Sequence, residues 1–327
     1  MLAAQKRGIE LVVASFGEAC LATRYGGLAL NRESQTEALD TISRAVSGNR
    51  FAAILASDDE TVALAGTASE RNGLPGNPAD AIKALTSKIH FRRFCESTDI
   101  LGPGFMALDS EKLDRGSPPG VRYPCVAKPA RLSASRGVMR CDNPGDLDQA
   151  LKRIHRLLYS EGKLGKDAVL VEDYIDGFEY AVDGLVNQGS LQVLAIFEKP
   201  DPMLGPFFEE TIYLTPARLS HRVSDQVIKS LEILCRKLGI VEGALHAELR
   251  INSSGVWFLE IAGRTVGGRC GRILEFQTGC SLEELVLANS VRLPVIAGQS
   301  SGSCGVMMIP VAQGGVLRRV EGISTAR

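Results

Sequence analysis

Glu248 and Glu260 are the residues whose placement most directly points to chemistry, because the strands that carry them form a hairpin. The first strand reads Ala244 to Ile251, with mostly polar residues at even positions and apolar ones at odd positions, the period of a strand with one face on a core. The second, Val256 to Ala262, sets Trp257, Leu259 and Ile261 on one face and Phe258, Glu260 and Ala262 on the other. A three-residue loop, Ser253-Ser254-Gly255, with Gly255 left-handed, would pair Asn252 with Val256 and bring Glu248 opposite Glu260. Like charges placed directly across a sheet repel. A divalent cation between them, Mg²⁺ or Mn²⁺ held with substrate phosphates, removes the conflict. The alternative is a loop of even length, which would send the carboxylates to opposite faces. Arg264, four residues past Glu260, favours the metal reading, since a cation beside such a site is where a transferring phosphoryl group would sit.

Other segments fit phosphate chemistry less specifically. Cys125-Val126-Ala127-Lys128-Pro129 ends a strand in a lysine just before the Leu132 to Val138 loop, which contains Ser133, Ser135 and Gly137. One ammonium beside open backbone amides can grip phosphate; a strand-end lysine beside an ordinary loop is the plainer alternative. Val169 to Glu179 is an apolar strand entering an acidic, glycine-containing hinge. It could hold a nucleotide base on its backbone and ribose on a carboxylate, or be a solvated turn. Neither a P-loop nor a dinucleotide-binding glycine fingerprint is present. His246 shares the strand face of Glu248 and is either a substrate hydrogen-bonder or a passive wall. Lys199 and Glu209-Glu210 read as solvated surface charges, with a lesser chance that Glu210 reads a substrate amine. Gly298 to Gly302 spells G-x-S-x-G, but a strand, Ser303 to Ile309, follows where a hydrolase needs a helix, so it reads as a linker.

The elements that must position these groups alternate. Met1 to Gly8 reads as a helix tail, Ile9 to Ser15 and Phe51 to Ala56 as strands, and Gln35 to Ser47 and Glu60 to Asn72 as helices. That pattern predicts a parallel α/β domain lacking its first strand. A helix from about Ala79 to Ser97 follows, then strands Val121–Lys128 and Val138–Arg140 and a helix, Leu147–Ser160. Strands Ala168–Glu172, Tyr180–Asn187 and Leu191–Phe197 and a helix, Asp225–Leu238, complete the reading before the hairpin. The expected division is residues 1–86 as an incomplete N-terminal α/β domain and 87–298 as the main domain, with a small lobe over about 120–173. Residues 299–327 read as the start of a truncated C-terminal lobe.

Composition bounds the class. With 327 residues, net charge −1 and 45% hydrophobic content, the chain has the make-up of an ordinary globular protein. It has no basic excess for nucleic acid or an anionic membrane, and no apolar run reaches a membrane span. Eight scattered cysteines without a C-x-x-C read as buried thiols in a reducing compartment, so cytoplasm is expected. A homodimer would be the commonest assembly.

In this order the motifs resemble the ATP-grasp superfamily. The likeness runs from about Pro75 to Gly279 and is carried by Val126-Ala127-Lys128-Pro129, Ser135-Arg136-Gly137-Val138 and Glu172-Asp173-Tyr174-Ile175 with Gly177 and Glu179. His246-Ala247-Glu248-Leu249-Arg250 and Glu260-Ile261-Ala262-Gly263-Arg264 with Gly267-Gly268 complete it. The chain looks most like the L-amino-acid ligase and biotin carboxylase-like branch. The resemblance implies a fold of two lobes clasping ATP and an ADP-forming carboxylate–amine or carboxylate–thiol ligase. It implies that Lys88 and Lys128 contact ATP phosphates, the Ser133–Gly137 loop closes over them, and Glu172, Tyr174 and Ile175 hold adenine. Glu179 would hold the ribose, Glu248 and Glu260 the Mg²⁺, Arg264 the acyl-phosphate, and Gly267-Gly268 the carboxylate substrate. Ala262 stands where many members have Asn, which bears on a second metal ion. A nucleotide-binding module without chemistry and a biotin carboxylase-like enzyme are the competing expectations.

Overall fold

The computed structural model describes residues 1–17, 20–165, 167–295, 302–309, 315–322 and 325. Residues 1–71 form α1 (Leu2–Arg7), β1 (Ala14–Phe16), α2 (Leu21–Arg24), β2 (Leu28–Leu30), α3 (Gln35–Ser47) and α4 (Asp59–Arg71). The Ser34 hydroxyl caps α3 and a box of Asp58 with Thr61 caps α4, each satisfying amides that a helix start leaves open. β1 and β2 pair in parallel, but β1 overlaps the expected Ile9–Ser15 strand only at Ala14 and Ser15, and β2 is absent from the sequence reading. Phe51–Ala56, expected as a strand, joins no ladder. Its apolar residues are used differently: Ile54 packs on the Leu30, Ile42 and Leu64 cluster and Ala56 on the main core.

The single helix expected over Ala79–Ser97 is two, α5 (Ala79–Thr86) and α6 (Lys88–Glu96). Ser87 between them is extended, at φ −144° and ψ 116°. The break frees the Lys88 amide to bond the Ala130 carbonyl at 3.2 Å, so α6 begins against the loop that follows Lys128.

β3 (Phe105–Asp109), β4 (Cys125–Pro129), β5 (Met139–Cys141) and β6 (Ala168–Asp173) form an antiparallel sheet in the order β3-β6-β4-β5. The long helix α7 (Pro144–Ser160) covers it, burying Leu147, Leu151, Ile154 and Leu158. That is the apolar stripe that helical periodicity dictates. β3 precedes residue 120 and was not read from sequence.

β7 (Phe178–Asn187), β8 (Ser190–Glu198), β9 (Ile212–Thr215), α8 (His221–Leu238), β10 (Glu242–Asn252) and β11 (Gly255–Ala262) build the larger lobe with α9 (Cys270–Thr278), α10 (Leu282–Ser290) and β12 (Cys304–Met307). Its sheet runs β11-β10-β7-β8-β9-β12. Leu231 and Leu234 of α8 pack on Leu245, Ala247, Leu249 and Phe258, which turns the other face of β10 toward the small lobe. β12 confirms a strand after the G-x-S-x-G segment, whose Gly298 to Ser301 lie outside the described residues. Among the described residues no helix is long and apolar enough to cross a membrane.

Candidate active site

Three strands place one row of charged side chains above the core. On β10, His246, Glu248 and Arg250 alternate with the core residues Leu245, Ala247 and Leu249. β7 answers them rung by rung: Asp183 opposes His246, Ala181 opposes Glu248, and Glu179 opposes Arg250. The outer rungs are closed by contacts. His246 Nδ1 lies 2.9 Å from Asp183 Oδ1, and Arg250 Nε donates to Glu179 Oε2 at 3.0 Å. Across β11, Glu260 is the register partner of Glu248.

That pairing is reached by a route the sequence did not disclose. The turn is a two-residue one, Ser253-Ser254, because Asn252 faces Gly255 rather than Val256. Gly255 has the positive φ expected of it, at 136°, but it forms the rung facing Asn252 instead of closing a bulge. The register then shifts at Leu259, between the pairs Leu249–Phe258 and Glu248–Glu260. A β-bulge sets two residues against one and interrupts the alternation. Phe258 therefore joins the core with Val256 and Ile261, while Leu259 and Glu260 both line the cleft.

Cations surround the carboxylates. Lys88 Nζ is 2.8 Å from Glu260 Oε1, and Lys199 Nζ is 3.4 Å from Glu248 Oε1. Lys199 also holds Glu179 at 2.8 Å and Glu210 at 3.4 Å. It is only 4% exposed, so it is a buried hub rather than the solvated lysine expected. Glu210 likewise faces the cleft, and burial raises its carboxyl pKa. For Glu248 burial also pushes upward, but Lys199 and His246 outweigh it and hold the carboxyl well below the usual range. Burial opposes the charge of His246; hydrogen bonds to Asp183 and Glu248 prevail and raise its pKa to about 9. At neutral pH His246 is therefore protonated and Glu248 ionised.

The small lobe contributes the opposing wall. Lys128 Nζ contacts Glu172 Oε2 at 2.7 Å, and Arg92 Nε contacts Glu172 Oε1 at 2.7 Å. Burial lowers the Lys128 pKa, against the pull of Glu172. Both oxygens of Glu172 are thus engaged by cations. Tyr174 is packed between two guanidinium groups, Arg140 at 4.4 Å and Arg250 at 5.1 Å from its ring centroid. Arg140 Nη1 also donates to the Leu204 carbonyl at 3.0 Å, and its amide to Pro206 at 2.9 Å. The isolated bridge Met139–Phe207 adds a further tie between the lobes.

Between the walls lies a cavity of about 400 Å³. It is lined by Lys88, Lys128, Ser135, Glu172, Tyr174 and Ile175 on one side and by Glu179, His246, Glu248, Glu260, Arg264, Gly267 and Gly268 on the other. Among the residues expected at the site, Gly137 alone does not line it. A Cβ there would stand 3.1 Å from Leu157 and Pro129 atoms, so this glycine packs beneath its loop. Ala134 and Ser135 take left-handed backbone at φ 56° and 52°, a costly conformation for residues with a Cβ. Arg264 is held from the N-terminal domain: its Nε lies 2.8 Å from Asp59 Oδ1.

Sequence reasoning missed Arg92, Asp59 and Asp183, and gave Arg250, quoted within a motif, no role of its own. Arg92 carried a readable signal, since it follows Lys88 by four residues on one helix face. Asp59 carried none, because only the tertiary fold brings it to Arg264.

Two opposed carboxylates beside lysine and arginine side chains fit a magnesium ion, which usually takes one or two carboxylates and completes its shell from substrate and water. Among the described residues no group of three or more His, Cys, Asp or Glu side chains could hold a metal unaided. The remaining oxygens would have to come with the substrate.

Residues 121–273 match the ATP-grasp domain family. The chain contains an ATP-grasp domain. Dapdiamide A synthase of Enterobacter agglomerans is 28% identical over 174 residues, covering 52% of this chain and 40% of the relative. The D-alanine--D-alanine ligase of Thermotoga sp. (strain RQ2) is 29% identical over 203 residues, covering 58% and 60%. Each match thus spans less than two thirds of the curated relative. The L-amino acid ligase from Bacillus licheniformis shares the fold, with a TM-score of 0.79 at 24% identity over 99% of this chain and 81% of that one. The two-lobed architecture around the cleft is therefore that of the ATP-grasp fold.

Proposed function

We propose that this chain is an ATP-dependent, ADP-forming carboxylate–amine ligase that joins amino acids through an acyl-phosphate. The observation that carries the reading is the Glu248–Glu260 pair, facing a cleft that also presents Lys88, Lys128 and Arg264. The amino-acid ligases among the relatives support the same substrate class.

A carboxylate does not react with an amine at neutral pH, because oxide is too poor a leaving group. Transfer of the γ-phosphoryl of ATP to a carboxylate oxygen releases ADP and gives an acyl-phosphate. The amine then attacks the acyl carbon and inorganic phosphate departs. The protein's part is positioning and charge neutralisation. Lys88 and Lys128 would exchange their present carboxylate partners for phosphate oxygens. Arg264, aimed by Asp59, would hold the acyl-phosphate. Adenine would lie against Val126, Leu259 and Phe208, beside the backbone of Tyr174 and Ile175. Glu248 and Glu260 would hold Mg²⁺, which when bound neutralises phosphate charge. Gly267, which faces open space, would leave room for the carboxylate substrate, whereas the Met308 side chain fills the space beside Gly268; His246, fixed by Asp183, would offer the substrate a hydrogen bond. The reading is of a cytoplasmic enzyme of small carboxylates and amines.

ADP release in the presence of paired amino acids and dipeptides tests the proposal. Stimulation over the ATP-only rate supports it. Tight ADP binding with no stimulation by any pair would point instead to a nucleotide-binding module without chemistry.

A further inference from the structure

The Ser253-Ser254 turn delivers β11 to β10 in the wrong register for a carboxylate pair. Leu249 faces Phe258. Continued unbroken, that ladder would set Leu259 opposite Glu248 and Glu260 opposite Ala247. The Glu260 carboxyl would then turn into the apolar layer that Ala247 occupies, because a one-residue slip moves every side chain to the other face. The extra residue at Leu259 prevents this. It does so on β11, the edge strand of the sheet, whose outward carbonyls have no ladder partner.

Arg92 supplies that partner. Its Nη1 donates to the Phe258 carbonyl at 3.2 Å and its Nη2 to the Leu259 carbonyl at 2.5 Å, on both sides of the register shift. Its Nε and Nη2 also donate to the two oxygens of Glu172, at 2.7 and 3.3 Å. The side chain is fully buried. Four contacts in two directions need the planar fork of a guanidinium; an ammonium on a flexible stem cannot make them together.

We infer that Arg92 is a positioning residue that fixes the Glu248–Glu260 spacing by clamping the Leu259 bulge, and ties it to the Glu172–Lys128 pair. The inference rests on the ligase reading above. Arg92 touches neither nucleotide nor metal in this account; it acts through Glu260 on one side and Lys128 on the other.

The test is a titration of Mn²⁺ into the full chain with ADP, followed by electron paramagnetic resonance, on wild type, R92K and R92Q. A parallel ADP titration in EDTA gives the metal-free affinity. In folded variants Mn²⁺ affinity should fall about tenfold or more, the scale seen when a group orienting a metal ligand is changed, with a smaller change in EDTA. Deleting Leu259 supplies an independent check, because it restores the Glu248–Glu260 register without a bulge. In that background R92K should cost no further Mn²⁺ affinity. Should both Arg92 substitutions unfold the chain, the deletion decides through the ratio of its ADP affinity with Mn²⁺ to its own ADP affinity in EDTA, because Leu259 also lines the cleft: a ratio kept at the wild-type value supports the register role, and its loss overturns it. Folded R92K and R92Q that bind Mn²⁺ like wild type would also overturn the inference while leaving the ligase reading intact. A wild-type chain whose ADP binding ignores Mn²⁺ would remove the metal site, and the inference with it.

Discussion

Lys88 and Glu260 are bonded to each other at the floor of the cleft, with Nζ 2.8 Å from Oε1. The same ammonium takes the Leu132 carbonyl at 2.9 Å, at the start of the loop that rims the cleft. One lysine therefore joins the carboxylate-bearing hairpin of the large lobe to the loop of the small one. Its placement follows from the break at Ser87, which starts a new helix at Lys88.

Glu260→Gln keeps the shape and a hydrogen-bonding oxygen for Lys88 but removes half of the carboxylate pair. ADP formation with the true substrates should fall about 100-fold or more, the scale of losing one preorganised electrostatic element. Near-normal turnover at saturating Mg²⁺ would end the metal assignment.

Lys88→Met removes the charge proposed to meet the nucleotide phosphates and leaves Glu260 without its nearest cation. The KM for ATP should rise about tenfold or more, since a hydrogen bond to a charged group contributes ~1.5–3 kcal/mol. Steady-state kinetics with ATP varied would show it, and an unchanged KM would remove Lys88 from the phosphate site.

Asp59→Ala should release Arg264 from its aim while sparing the nucleotide pocket. Turnover should drop about tenfold, on the same scale for one charge-assisted bond, with the KM for ATP unchanged. A variant that loses ATP affinity and keeps its maximal rate would contradict this division of labour.

Asp167 provides a pH test away from the cleft. Its Oδ2 is buried without a hydrogen-bond partner, and burial raises its pKa above the ordinary carboxylate value. The folded state thus binds this proton more tightly than the unfolded chain, so stability falls as pH rises through the folded-state pKa and is regained on acidification toward ~4. Asp167→Asn should raise Tm at pH 7 and flatten that part of the profile. Melting curves between pH 4 and 8 for both proteins decide it; a lower Tm for the variant at pH 7 would refute it.

The sequence carried the site better than it carried the frame. Period-2 alternation along β10 placed His246, Glu248 and Arg250 on one face correctly, because a half-buried strand must alternate. The opposition of Glu248 and Glu260 was also foreseen, yet through a three-residue turn that does not exist. The even turn and the Leu259 bulge cancel, and a bulge leaves no reliable mark in an apolar run. Ser87 broke a helix without glycine or proline to announce it. Phe51–Ala56 had strand composition but found its burial by packing instead of pairing. Lys199 looked solvated because its three carboxylate partners come from β7, β10 and the segment before β9, which no local pattern connects.

The grip of Arg140 on the 204–206 backbone bears on traffic through the cleft. That arginine belongs to the small sheet, and the carbonyls it holds belong to the larger lobe. Any swing that parts the lobes widely along this side must first unfasten those contacts and unstack Tyr174 from one of its two guanidinium neighbours. Under the proposed function, the exit of spent nucleotide would be coupled to a latch some distance from the carboxylates.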